Sequence, residues 1–118
     1  MGDGPAAIGD YAFSGCWSVE NLVLPKTLKT IGAHAFEQCN SLIELTLPEG
    51  LVSIGDYAFG DCRKLRKITV PQSVTSIGKD AFRDCDYLVL TVHGGSFAET
   101  WCRQEGVPFT LYGQEATP

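Results

Sequence analysis

The sequence predicts an α/β solenoid: four 23-residue coils stacked with a parallel sheet, short helical turns and a C-terminal helix–strand cap. Three observations predict it. Ile8, Ile31, Ile54 and Ile77 stand 23 residues apart, and the stretch IGDYAF at 8–13 returns letter for letter at 54–59. Ala12-Phe13, Ala35-Phe36, Ala58-Phe59 and Ala81-Phe82 keep the same register, as do Cys16, Cys39, Cys62 and Cys85. Leucine or its branched relatives fill the remaining apolar positions: Val19, Leu42, Leu65 and Leu88, then Leu22, Leu45 and Ile68, then Leu24, Leu47 and Val70. A period of this length marks units that cannot bury an apolar side alone and must stack on copies of themselves. The same letters recur because each coil faces the environment its neighbour faces.

Each element follows from its residues. Residues 1–7 read as a leader, and 8–93 as the four repeats. Within a repeat, Leu45-x-Leu47 and Ile68-x-Val70 alternate at period two, which predicts a strand. The proline that follows, Pro48 or Pro71, lacks an amide hydrogen and stops the strand. The chain then returns through an extended or turn segment to Ile-Gly, where glycine is expected to supply a backbone angle that other residues resist. Ala58, Phe59, Cys62 and Leu65 fall at i, i+1, i+4 and i+7, which predicts a short helical stretch closing the coil. With parallel strands about 4.8 Å apart, four coils rise through only about 20 Å.

The four Ile-Gly, Ala-Phe and Cys sets, with the Leu-x-x-Leu-x-Leu-Pro strand, resemble the leucine-rich repeat superfamily, in its BspA-like (Treponema pallidum type) class. The resemblance covers residues 8 to about 93. It implies a right-handed solenoid with a parallel sheet on one face. It also implies an extracellular or cell-surface location, and adhesion or partner binding rather than catalysis. Fold alone does not dictate function.

The two ends are expected to differ. After Cys85 the pattern shortens by one residue, Leu90 and Val92 arrive early, and no proline follows. Gly94-Gly95 make a turn, and Ser96-x-x-Glu99 is a capping box that opens a helix bearing Phe97, Ala98, Trp101 and Cys102 on one side. Gly106 suits the left-handed stop, Pro108 lies just beyond, and FTLY at 109–112 alternates as one more strand. Residues 94–112 thus read as a cap that lays Phe97 and Trp101 over the last coil, and 113–118 as a tail. The amino end has no matching cap, so the chain reads as the C-terminal part of a longer array. Trp17 replaces the Asn40, Arg63 and Asp86 of later repeats and is a candidate lid or contact at the open first coil, an edge that offers itself to another chain.

Composition removes several function classes. Fourteen acidic against nine basic residues give a net charge of −5, so nucleic acid is not an expected partner. No apolar run is long enough for membrane insertion, and no signal peptide is evident. Four thiols at fixed spacing predict an inward ladder of small hydrophobes, and no close cysteine pair suggests zinc; neither a metal nor a cofactor is implied. Five cysteines leave at least one unpaired within the chain. Cys102 is expected to pack in the cap. His34 is expected in an exposed mixed ladder with Tyr11, Tyr57 and Asp80, away from the thiols, so a thiol enzyme is not expected.

The outward strand positions remain. They read Asn21 and Val23, Glu44 and Thr46, Lys67 and Thr69, then Val89 and Thr91, flanked by Glu20, Ile43 and Arg66. Glu44 and Lys67 are expected to pair across strands. These positions are the candidate surface for a protein or glycan partner. The alternative is a structural spacer or cap within a larger protein whose activity lies elsewhere.

Overall fold

The computed structural model describes residues 7–16, 18 and 20–113. Its elements in chain order are β1 (Ala7–Ile8), β2 (Thr30–Ile31), β3 (Glu44–Thr46), β4 (Ser53–Ile54), β5 (Lys67–Thr69), β6 (Ser76–Ile77), β7 (Val89–Val92), α1 (Phe97–Glu105) and β8 (Phe109–Leu111). They form two parallel four-stranded sheets, ordered β1-β2-β4-β6 and β3-β5-β7-β8. The second carries the expected leucine strands. The first is built from the Ile-Gly segments, whose two-residue strands pair isoleucine to isoleucine: Ile8 with Ile31, Ile31 with Ile54, Ile54 with Ile77.

Between the sheets lies one continuous core. Phe13, Phe36, Phe59 and Phe82 stack face to face, with ring centres 5.2, 5.1 and 5.5 Å apart. Trp101 of the cap closes the column edge-on to Phe82 at 5.7 Å. Leu28, Leu51 and Val74 are fully buried, each in a turn where its amide donates to the carbonyl of Pro25, Pro48 or Pro71. The proline thus ends the strand and begins the corner.

The segment expected to be helical is instead a run of turns. Tyr11, His34, Tyr57 and Asp80 all have positive φ, and so, four residues later, do Gly15, Gln38, Asp61 and Asp84. A left-handed residue cannot continue a right-handed helix. The amides then divide into two sets. Those of Ala12, Ala35 and Ala58 close turns onto Gly9, Gly32 and Gly55, while those of Phe13, Phe36 and Phe59 donate at 2.7 Å to the alanine carbonyl of the next coil. The turns therefore stitch coil to coil as strands do.

Glycine after isoleucine has a different role from the one its type suggests. Its φ is not positive; what it supplies is room. A Cβ on Gly55 would stand 2.6 Å from the amide nitrogen of Ala33, and one on Gly32 would stand 2.7 Å from the backbone of Gly9. Asp10 and Asp56, the aspartates of the repeated IGDYAF, accept the amides of Ala33 and Lys79 in the following coil at 2.9 Å.

The cap follows the sequence with one exception. The Ser96 hydroxyl accepts the Glu99 amide, Glu99 accepts the Gly95 amide at 2.7 Å, and Gly106 is left-handed. β8 pairs with β7 in parallel register. Phe97, however, is exposed, and Ala98 and Cys102 are the buried residues of α1, because the helix turns the Ala98–Cys102 edge of its apolar stripe inward. At the other end, the strand expected around Leu22 and Leu24 is reduced to a single bridge between Asn21 and Glu44.

Candidate functional site

The β3-β5-β7-β8 sheet gathers most of the outward positions into two registered columns. Glu44 faces Lys67 and Lys67 faces Val89; Thr46, Thr69, Thr91 and Thr110 continue side by side, the last of them a member that period alone does not reveal. Asn21 joins the first column through its bridge, and Val23 stands beside it, 93% exposed. Glu20, Ile43 and Arg66 form a third column along the strand entrances, since Ile43 donates to the Glu20 carbonyl, Arg66 to Ile43 and Val89 to Arg66. Trp17 lies outside the described residues.

Two expectations about this face need correction. Glu44 and Lys67 are in register, yet their charged ends make no ion pair; near the surface such a pair is worth little. Thr91 keeps its place in the outward column but is buried, because β8 with Thr110 covers its flank.

The face is uneven. A hollow of 470 Å³ lies over the first strands, lined by Asn21, Val23, Lys26, Glu44 and Thr46 among others. A second, of 390 Å³, is lined by Ile43, Arg63, Lys64, Arg66 and Tyr87, and a third, of 170 Å³, by Arg66, Lys67, Val89, Thr91 and Thr110. The sequence reading selected Arg66 and Lys67 but not Arg63, Lys64 or Tyr87. The signal was present in the consecutive letters RKLRK.

The thiols are packed, buried at Cys39, Cys62 and Cys102 and half-buried at Cys16 and Cys85, and those of the repeats form a hydrogen-bonded ladder. Cys39, Cys62 and Cys85 each donate to the phenylalanine carbonyl of the coil before: Phe13 and Phe36 at 3.2 Å, and Phe59 at 2.9 Å. All five cysteines are free. Burial pushes the Cys39 thiol up, and Cys102 is pushed up to about 11 by burial and by Glu99. The Cys62 thiol is raised by the hydrogen bond it shares with Cys85 and by burial. The same hydrogen bond holds the Cys85 thiol below its ordinary value, against the effect of burial; the other three resist ionisation and are poor nucleophiles.

The histidines are committed elsewhere. His34 is half-buried between Tyr11 and Tyr57, with ring centres at 4.6 and 5.1 Å, and its Nδ1 lies 2.8 Å from Glu37. His93 stacks on Tyr112 and meets Gln72 at 3.1 Å. Among the described residues, no group of three His, Cys, Asp or Glu is placed to hold a metal ion, and no helix is long and apolar enough to cross a membrane.

Comparison with known proteins agrees with this geometry. A family model described as BspA type leucine-rich repeat region matches residues 6–93, in six copies. A search of curated proteins gave no match. Among solved structures, the chain is similar to the crystal structure of a leucine-rich repeat protein from Bacteroides ovatus ATCC 8483, with 30% identity and a TM-score of 0.81. The similarity covers 92% of this chain and 28% of that one, so the chain spans little more than a quarter of that protein's length. The registered columns, the two parallel sheets and the matched repeats together place the chain in the BspA-type leucine-rich repeat family.

Proposed function

We propose that the chain is a non-catalytic interaction module of an extracellular or cell-surface protein, presenting the outer face of the β3-β5-β7-β8 sheet to a protein or glycan partner. The observation that carries this reading is that four of the nine exposed large apolar side chains among the described residues gather here. Val23, Ile43, Tyr87 and Val89 stand on this face or its rim, among Glu44, Arg66 and Lys67. Exposed apolar groups gathered among polar ones are the usual composition of a contact surface. The platform is also pre-organised. β5 and β7 are hydrogen-bonded on both sides, so binding need not order any backbone there. Family membership supports the surface location.

The test is binding of the purified chain to a panel of immobilised extracellular-matrix proteins and cell-surface glycans. Wild type is expected to bind at least one of them saturably. Val23→Glu combined with Thr46→Arg, and Glu44→Ala combined with Lys67→Ala, are expected to weaken that binding about tenfold, roughly 1.4 kcal/mol, with the melting transition unchanged. A competing reading, a spacer or cap within a longer polypeptide, draws on the 28% coverage of the structural neighbour. It predicts no saturable binding anywhere on the panel.

A further inference from the structure

Deepening that reading, and resting on it, we infer that the centre of the face is a site for a sulfated glycan chain, held by Arg63, Lys64, Arg66 and Lys67. Four of the nine basic residues of an otherwise acidic chain fall within these five positions. The fold does not disperse them. The 390 Å³ and 170 Å³ hollows adjoin at Arg66, which lines both, and together make the candidate groove; no carboxylate lines either. Glu44, in register with Lys67, lines the separate hollow over the first strands. Only Arg63 has an acidic partner, Asp61 at 3.7 Å; among the described residues Lys64, Arg66 and Lys67 have no ion pair. A clustered basic run in an acidic molecule attracts polyanions.

The groove's form selects a glycan over an acidic peptide. β5 is paired on one side by β3 and on the other by β7, so the strand that carries Lys67 has no free backbone edge for a peptide strand; the sheet's edge at the cap end lies at β8, away from Arg63, Lys64 and Tyr87. Nor are these hollows enclosed pockets for an anchoring side chain, which protein partners favour. What the groove offers is a row of cations for sulfates and carboxylates. The ring of Tyr87, 72% exposed, presents a flat apolar face to the C–H side of a pyranose. Thr110 adds a hydroxyl at the groove's far end.

The experiment measures binding of the whole chain to a heparin oligosaccharide over a range of salt concentrations. The same chain fully desulfated, a polyglutamate peptide and a short duplex DNA serve as comparison probes. Saturable heparin binding is expected, with desulfation abolishing it and the other two polyanions at least about tenfold weaker. Arg63→Ala with Lys64→Ala and Arg66→Ala should weaken heparin at least about tenfold and lower the salt slope by about one unit per cation. Lys29→Ala with Lys79→Ala and Arg83→Ala, which removes the same charge away from the three hollows of this face, should leave affinity within about twofold. Equal loss in both triple variants, equal affinity for polyglutamate or DNA, or no heparin binding at low salt each overturns the inference. If heparin fails while a panel protein still binds and is lost with Val23→Glu and Thr46→Arg, only the glycan assignment falls. If nothing binds, the interaction reading falls with it.

Discussion

The first coil and the third coil carry the same IGDYAF, yet they occupy different surroundings. Phe59 of the third coil is sandwiched between Phe36 and Phe82 and has no exposed surface; Phe13 of the first, among the described residues, has a ring on one side only and is 36% exposed. The same contrast holds for glycine. Gly55 is pressed against the backbone of the coil before it, while an added Cβ on Gly9 would meet nothing within 4 Å. A repeat letter therefore has no fixed energetic value. Its worth is set by whether a coil lies on both of its sides, as nearest-neighbour stacking requires.

Four measurements sharpen this comparison. The largest effect is expected from Phe59→Ala, which opens a cavity between two stacked rings and should cost about 3–5 kcal/mol in denaturant unfolding. Phe13→Ala should cost less than about half of that, since much of its ring is already in water. Next, Gly55→Ala forces two backbones apart and should cost about 1–3 kcal/mol. Gly9→Ala should be neutral or stabilising by up to about 1 kcal/mol. Equal effects at the two glycines would break the comparison.

Smaller again is the thiol ladder. Cys62→Ala removes the bond to the Phe36 carbonyl and is expected to cost about 1–2 kcal/mol. Cys62→Ser, which keeps a donor, should recover part of this, and Cys16→Ala should cost less than about 0.5 kcal/mol. The smallest effect is at the capped end. The Gly95 amide and Arg103 hold the Glu99 carboxyl below its usual range. Its folded value is the lower one, so the contribution is present above the ordinary glutamate value of about 4.3 and fades as the pH falls through the folded value. Glu99→Gln should flatten that acid dependence of the melting temperature without moving the first coil's behaviour.

What the sequence made legible is what repetition enforces. Inward columns must match to stack, so Ile, Ala-Phe, Cys and Leu announced the solenoid, the buried face and its outward remainder. The cap was legible because Ser96, Glu99 and Gly106 carry local backbone chemistry in their own side chains or lack of one. The turn segment was not. Tyr11, Tyr57 and Gln38 adopt positive φ with no signal in their residue type, and the hint in Gly15, Asp61, Asp80 and Asp84 at equivalent positions is outweighed by apolar spacing at i, i+1, i+4 and i+7, which imitates a helix. The Ile-Gly sheet stayed hidden because two-residue strands are too short to show a period of two. At the candidate surface, period analysis found the columns and missed the groove: Arg63, Lys64 and Tyr87 break the repeat, and a search for sameness passes over them.

Native-state hydrogen exchange, read amide by amide, tests the continuous stack most directly. The amides of Phe36 and Phe59, bonded to Ala58 and Ala81 in the next coil, should exchange only through global unfolding and with the same free energy as each other. The Phe13 amide, bonded to Ala35 from the first coil, whose phenylalanine is partly exposed, should exchange through a smaller local opening. Fast exchange at Phe59, or protection that differs between Phe36 and Phe59 as if the coils opened independently, would contradict a single core running from coil to coil.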